Sequence, residues 1–116
     1  IVSAYRSSAY FEFYEDLFVP FYEIKETFLL DFNLKLQEIV FKCLQTNDTS
    51  TLTKSYQKKI EKNDFRNSLF EIKNALKYHQ VFENKCGFIS NLSIIDLLFN
   101  LGPESADYLY NLDISI

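Results

Sequence analysis

The chain is organised around one stretch near its end, Ser93-Ile94-Ile95-Asp96-Leu97-Leu98-Phe99-Asn100-Leu101-Gly102-Pro103-Glu104. Ser93 followed by Asp96 three residues later is a capping-box start, and Gly102-Pro103 is a stop signal, so a helix is predicted from about Ile94 to Leu101. Apolar residues cover most of its circumference and leave a narrow polar stripe, formed by Ser93, Asp96 and Asn100. We therefore expect this helix to be almost wholly buried, and Pro103 to open a second helix through about Leu112.

Two segments upstream have the spacing of amphipathic helices. In the first, Ser7 or Ser8 caps a helix whose aromatic and apolar residues recur every three or four positions, and Pro20 ends it. The second runs from about Leu29 to Gln45, with an apolar face opposite a charged face that includes acidic-to-Lys pairs four residues apart. A polar loop follows.

The middle of the chain is less regular. Residues 52–56 alternate weakly and predict a short strand, whereas Ser68 to Glu71 is a second capping-box pattern that predicts a helix through about Lys77. Residues 78–89 alternate around a turn at 84–87, which is typical of a small hairpin. The predicted fold class is mainly α, a small domain of four to five helices to which one short β-hairpin can be added.

The composition excludes several classes of protein. The 116 residues are 47% hydrophobic and 17% aromatic, which is typical of a globular chain of at most one domain. The net charge of −4 argues against nucleic acid as a partner, because phosphate binding needs an excess of Lys and Arg on one face. Two cysteines and one histidine are too few for a four-ligand zinc site, so no metal is expected, and they favour a reducing, cytoplasmic setting. No apolar run approaches the roughly 20 residues of a transmembrane segment.

Three blocks of the sequence resemble a known family. Residues 88–104, FISNLSIIDLLFNLGPE, resemble the C-terminal signature of the WbqC-like family of bacterial proteins, and residues 78–82, YHQVF, are similar to the segment that precedes it. Residues 4–14, AYRSSAYFEFY, resemble the family's mid-sequence block. The resemblance implies that residues 1–116 are a single domain, the C-terminal part of a longer member. It also favours an extended segment over a helix near residues 68–77.

The polar stripe is the first candidate site. A carboxylate and an amide on an apolar helix can line a pocket, where Asp96 accepts a proton or orients an amine and Asn100 binds a carbonyl group, with Ser93 beside them. The alternative is structural: Ser93 caps the helix, Asp96 accepts backbone N–H groups, and Asn100 faces solvent or caps the last turn.

Asp64 and Arg66 form a second candidate. Two residues apart in an extended stretch, they point to the same side, so they can pair with each other, or Arg66 can bind a phosphate or carboxylate with two hydrogen bonds. The family resemblance marks a similar Asp/Arg pair. An ordinary surface ion pair is the alternative.

Arg6 and Tyr10 form a third candidate, about one helical turn apart and close to Tyr5 and Tyr14. A guanidinium beside phenolic hydroxyls suits an anionic sugar, a diphosphate or a nucleotide base, but aromatic residues at helical spacing are also typical of a core. His79, the single histidine, lies where the resembled family usually has an aromatic residue, which favours a structural or surface role.

What the resemblance implies about function goes further than the residues alone. WbqC-like proteins are associated with bacterial surface-polysaccharide (O-antigen) gene clusters, and the resemblance further implies transfer of an aminoacyl group such as glycine, or of another group, onto a sugar. Asp96 or Asp64 would then be the base, and Arg6 or Arg66 the anion holder. The expected ligand is a sugar or nucleotide sugar, and the resemblance leaves the cofactor unspecified. The alternative is a non-enzymatic helical module that assembles with itself or with a pathway partner.

Overall fold

The chain folds mainly into helices with one small antiparallel sheet, so the predicted fold class is confirmed. The computed structural model describes residues 1–115. In chain order its elements are α1 (Val2–Tyr5), α2 (Phe11–Phe18), α3 (Pro20–Glu23), α4 (Leu29–Cys43), β1 (Glu71–Ile72), α5 (Glu83–Cys86), α6 (Ile94–Leu101), a 3₁₀ turn (Gly102–Glu104), α7 (Ser105–Tyr110) and β2 (Ile114–Ser115).

Helix α6 is the centre of the core, as its sequence predicts. Leu98 and Phe99 are 0% and 1% exposed. Three aromatic rings pack edge-on against Phe99, with ring centroids 5.2 to 5.7 Å away, and they belong to Tyr5, Phe11 and Phe18. Edge-to-face packing of this kind adds to the free energy gained by burying apolar area. α6 therefore joins the N-terminal helices to the rest of the chain.

Both predicted ends of α6 are confirmed. The Ser93 hydroxyl accepts a hydrogen bond from the Ile95 amide at 3.3 Å, and the helix ends at Leu101 before Gly102. Gly102 has a φ of +57°, and a Cβ there would come within 2.5 Å of the Tyr10 ring. Glycine is required at this position both by the backbone conformation and by the close approach of that ring. The helix after Pro103 ends at Tyr110, two residues earlier than predicted.

The start and end of α2 differ from the prediction. The helix begins after Tyr10 with no side-chain cap, and the Ser8 hydroxyl instead donates to the Tyr5 carbonyl at 2.7 Å, so the predicted cap at Ser7 or Ser8 is wrong. Pro20 does end α2, but Val19 keeps a helical conformation and Pro20 becomes the first residue of α3. That position suits proline because the first-turn N–H has no partner inside the helix.

Helix α4 confirms the long amphipathic helix, although only its C-terminal part lies in the core. Cys43 is buried and packs with Tyr14 and Phe18 in the core cluster. At the other end Leu29 is 73% exposed, although its spacing predicts that it belongs to the apolar face. The first turn of α4 thus leaves apolar side chains in solvent.

The predicted helix near residues 68–77 is wrong, and the extended segment that the family resemblance favours there is confirmed. Glu71–Ile72 instead pairs antiparallel with Ile114–Ser115, and the Lys73 amide donates to the Asp113 carbonyl at 2.9 Å. Backbone hydrogen bonds to a distant segment outweigh the local helical pattern, as tertiary context commonly does. Within residues 1–115 these two are the only strands, so the strand predicted at 52–56 is wrong as well.

The hairpin predicted at residues 78–89 is replaced by a turn stabilised by a side chain. The Gln80 amide group bonds to both backbone groups of Ile89, donating to its carbonyl at 2.7 Å and accepting from its N–H at 2.9 Å. Helix α5 and Gly87 occupy the connection. The fold thus contains one small two-stranded sheet, as predicted, but β1 and β2 form it and residues 78–89 do not. Among the helices of residues 1–115, none has both the length and the apolar character needed to cross a membrane.

Candidate functional site

The Asp96 carboxylate is the most unusual polar group in the protein. Asp96 lies in the first turn of α6 and is only 5% exposed. Its Oδ1 accepts the Tyr5 hydroxyl at 2.9 Å, and its Oδ2 accepts the Tyr78 hydroxyl at 2.5 Å. Buried aspartates are normally paired with a cation, yet no ion pair of residues 1–115 includes Asp96. Two phenols and the positive end of the helix dipole stabilise this charge.

Packing fixes both tyrosine rings, and therefore the positions of their hydroxyls. The Tyr5 ring lies edge-on against Phe99. The Tyr78 ring packs edge-on against Phe88 at 5.5 Å and against Tyr108 at 5.3 Å, and the Tyr108 hydroxyl donates to a backbone carbonyl in turn. Rings held on several sides cannot turn away from the carboxylate without losing these contacts. The three polar groups thus form a preorganised unit, which we call the Asp96 cluster (Tyr5, Tyr78 and Asp96).

The protonation of the two phenols follows from their burial and from their hydrogen bonds to Asp96. Burial, followed by the hydrogen bond to Asp96, raises the pKa of Tyr5 from 10.0 to about 12, and the same two causes raise the pKa of Tyr78. Both phenols therefore stay protonated at neutral pH and act as donors. A carboxylate has about four lone-pair sites, so Asp96 can accept further hydrogen bonds from a ligand.

A pocket of about 180 Å³ opens beside Asp96. Most of its wall is apolar, and its lining comprises Tyr5, Gln80, Val81, Phe82, Cys86, Gly87, Ile89, Leu92 and Asp96. Gln80, 4% exposed, shapes this wall through its bonds to Ile89. Sites for drug-sized ligands measure roughly 300–1,000 Å³, so this pocket fits only a small group or one end of a larger ligand. A carboxylate in such surroundings can accept a proton from a hydroxyl or amine.

The three residues of the polar stripe have different surroundings. Asp96 lines the pocket, whereas Ser93 is exposed and caps the helix. Asn100 is buried, so the solvent-facing alternative is wrong; its Nδ2 donates to the Asp96 carbonyl at 2.8 Å. Its Oδ1 is buried with no hydrogen-bond partner among the described residues. The Asp96 side chain makes no backbone bond in residues 1–115, so the carboxylate half of the capping box does not form.

Arg6 and Tyr10 do not line the Asp96 pocket. Arg6 is exposed at the end of α1, directly after Tyr5. Tyr10 packs its ring on Gly102, and its amide donates to the Phe99 carbonyl at 2.9 Å. Tyr14 is buried in the core. Of the aromatic residues in this candidate, Tyr5 alone touches the carboxylate.

Asp64 and Arg66 pair with each other, in a loop that contributes nothing to the lining of the Asp96 pocket. Arg66 Nε donates to Asp64 Oδ1 at 2.7 Å, and Arg66 Nη2 also contacts Asp64 Oδ2. The hydrogen bond from Arg66 lowers the pKa of Asp64 to about 2. Arg66 Nη1 donates to the Gln57 carbonyl at 2.9 Å, and the guanidinium lies 5.9 Å from the centroid of the Tyr56 ring. Both residues are therefore already occupied by partners within the chain.

Tyr78 and Gln80 are the site residues that sequence reasoning missed. Both lie in the YHQVF segment, where the alternation of a short strand hid their separate roles. The signal that could have identified them is that this segment, which resembles a block of the WbqC-like family, contains both a tyrosine and a glutamine. His79, between them, is exposed and contacts Glu83 at 2.9 Å, which agrees with a surface role. Among residues 1–115 there is no group of three or more side chains that could hold a metal ion.

Comparison with known proteins adds one finding. The model of a family described as the WbqC-like protein family matches residues 1–78 and 57–108. Together the two ranges include all of the Asp96 cluster. Comparison with the curated proteins and with the solved structures finds no match.

Proposed function

This chain belongs to the WbqC-like protein family, and on that premise we propose that it takes part in bacterial surface-polysaccharide (O-antigen) biosynthesis as a group transferase. The transferred group we favour is an aminoacyl group such as glycine, and the acceptor is a sugar or nucleotide sugar. The observation that carries the proposal is the buried Asp96 carboxylate, which lines a pocket without a cationic partner in the described chain.

In this proposal Asp96 is the general base. A hydroxyl or amine of the acceptor enters the pocket and donates its proton to the carboxylate while its oxygen or nitrogen bonds to the acyl carbon, and the donor's leaving group departs. Tyr5 and Tyr78 position the carboxylate, and Tyr5 also lines the pocket. Because the carboxylate is already held in one orientation, it does not have to turn toward the acceptor before it takes the proton.

Arg6 is the proposed anion holder. It is exposed next to Tyr5, whereas Arg66 already has both carboxylate oxygens of Asp64 as partners. A phosphate or carboxylate of the donor could therefore bind Arg6 without breaking an existing ion pair. Asp64 is paired with Arg66, so the proposal assigns the role of base to Asp96 and not to Asp64. Ser93 and Asn100 form hydrogen bonds that stabilise the part of α6 that contains Asp96. Tyr10 packs against Gly102 at the C-terminal end of α6.

The test is a thermal-shift screen against nucleotide sugars, amino acids and coenzyme A thioesters, followed by mass spectrometry for a transferred group. A ligand that binds the native state raises the melting temperature by mass action. We expect one class to stabilise the protein, and Asp96→Asn to lose both the shift and the transfer. Asp107→Asn, the same chemical change at an exposed first-turn aspartate, is the matched control and should keep both.

Asp96→Asn is informative because the fold should survive it. An asparagine side chain has the same shape, accepts one phenol through its oxygen, and donates through its NH₂ group to the oxygen of the other phenol. Circular dichroism should show unchanged helix content. If the folded Asp96→Asn variant keeps full transfer activity, or loses no more activity than Asp107→Asn, the role of base is refuted.

A second candidate function is a non-enzymatic assembly module, and exposed apolar side chains favour it. Ile24, Phe28 and Leu29 are 62%, 67% and 73% exposed and line one groove at the start of α4. Apolar patches of this kind often mark interaction sites. Light scattering after size-exclusion chromatography should show a dimer that Leu29→Ser dissociates if this function is correct, and a monomer in both cases if it is not.

A further inference from the structure

A loop far from the Asp96 pocket in sequence has a defined shape. Arg66 closes it by donating to the Gln57 carbonyl at 2.9 Å while it binds Asp64 and lies over the Tyr56 ring. The ends of a ten-residue segment, residues 57–66, are thereby held together. Compact loops closed in this way are frequently functional. We call residues 54–70 the basic loop.

The basic loop concentrates positive charge on an otherwise acidic protein. Between residues 54 and 66 there are five basic side chains against two acidic ones, whereas the whole chain has a net charge of −4. One acidic residue, Asp64, is neutralised by Arg66 at the base of the loop. The lysines are all exposed, and they are Lys54, Lys58, Lys59 and Lys62.

The same loop exposes large apolar and aromatic side chains. Leu69 and Tyr56 are 90% and 83% exposed. Phe65 and Phe70, each about half exposed, lie with ring centroids 6.0 Å apart. Large apolar side chains beside lysines suit the boundary between lipid headgroups and acyl chains, where aromatic rings lie at the headgroup level and lysine ammonium groups reach the phosphates.

We propose that the basic loop docks the protein on an anionic membrane surface. Its lysines contact the negatively charged headgroups, and Leu69, Tyr56, Phe65 and Phe70 enter the interface beside them. Double-stranded nucleic acid also attracts lysines, but it offers no apolar layer for Leu69 and Phe70. A lipid surface satisfies both features at once. This proposal is independent of the transferase function.

The experiment is co-sedimentation of the full chain with vesicles. One set contains phosphatidylcholine alone, and the other contains phosphatidylcholine mixed with anionic phosphatidylglycerol. Each lysine near such a surface strengthens binding by roughly fivefold, so changing Lys58, Lys59 and Lys62 together to Gln should weaken it roughly a hundredfold. The matched control changes Lys73, Lys77 and Lys85 to Gln, which removes the same charge from exposed sites outside the loop.

We expect binding only to the anionic vesicles, loss of binding in the loop variant, and nearly full binding in the control variant. Raised salt should weaken binding because it screens the lysines. Leu69→Ser with Phe70→Ser should also reduce binding, at unchanged charge. The proposal is overturned if the anionic vesicles do not sediment the protein or if both lysine variants weaken binding equally. Stronger binding to duplex DNA than to the vesicles would overturn it too.

Discussion

Replacing Tyr78 by Phe tests whether the Asp96 carboxylate depends on its two phenols. The change removes one hydroxyl, which donates to Asp96 Oδ2 at 2.5 Å, and leaves a ring that still packs between Phe88 and Tyr108. No cavity forms in the aromatic packing. The result should therefore report the hydrogen bond and little else.

The expected cost follows from the charge and burial of the acceptor. Hydrogen bonds to charged groups contribute about 1.5–3 kcal/mol, and a buried oxygen left without its donor loses the full amount. Asp96 is 5% exposed, so water cannot readily replace the phenol. We expect Tyr78→Phe to lower the free energy of unfolding by about 2 kcal/mol.

The matched control is Tyr108→Phe, which also removes a phenolic hydroxyl, but one that donates to an uncharged acceptor. The Tyr108 hydroxyl donates to the Leu76 carbonyl at 2.7 Å in an exposed setting, so its loss should cost about 0.5–1.5 kcal/mol. Urea unfolding at neutral pH measures both values. In the Asp96→Asn background, where no charge is present, the cost of Tyr78→Phe should fall toward that of the control. Equal costs for the two tyrosines in the wild type, or no coupling to Asp96, would show that the Tyr78 hydrogen bond does not depend on the carboxylate charge.

Two further predictions concern stability. Gly102→Ala should destabilise the protein by roughly 2 kcal/mol more than Gly87→Ala, because both glycines have positive φ but only at Gly102 would the new Cβ meet a ring, at 2.5 Å from Tyr10; equal losses in melting temperature would contradict this. Stability should also fall as pH rises from 10 toward 12, since the folded state holds the Tyr5 proton with a raised pKa of about 12 and binds protons that the unfolded chain has released. Unfolding curves over this range, with Tyr5→Phe as control, should show a weaker pH dependence in the variant.

The parts of the fold that the sequence predicts are those with local causes. Helix α6 was predicted from Ile94 to Leu101 with its cap and its stop, because Ser93, Gly102 and the apolar pattern all act within a few residues. Helix α4 has the same local origin. Near residues 68–77 the local capping-box pattern predicted a helix, whereas the family resemblance favoured the extended segment that the structure has. The local pattern misleads because β1 pairs with a strand about forty residues later, and no local pattern encodes that pairing.

In the candidate site too, the sequence predicts the features that have a local cause and misses the contacts between distant segments. Asp96 stands out in the sequence as a carboxylate on an apolar helix, and Asp64 with Arg66 forms a pair two residues apart that sequence reasoning could foresee. The partners of Asp96 are 91 and 18 residues away in the chain. Their hydroxyls reach the carboxylate only after α1 and the segment before α5 pack against α6. Nothing in the spacing of Tyr5 or Tyr78 specifies that contact.

The role of the Asp96 carboxylate in binding is measured by calorimetric titration of the ligand that the thermal-shift screen identifies into the wild type, Asp96→Asn and Asp107→Asn. If the Asp96 pocket binds the substrate through its carboxylate, Asp96→Asn should weaken binding at least about tenfold, the loss of one charge-assisted hydrogen bond, and Asp107→Asn should match the wild type. Equal affinities for all three proteins, with Asp96→Asn still folded, would contradict the binding role of the carboxylate and leave Asp96 a structural residue.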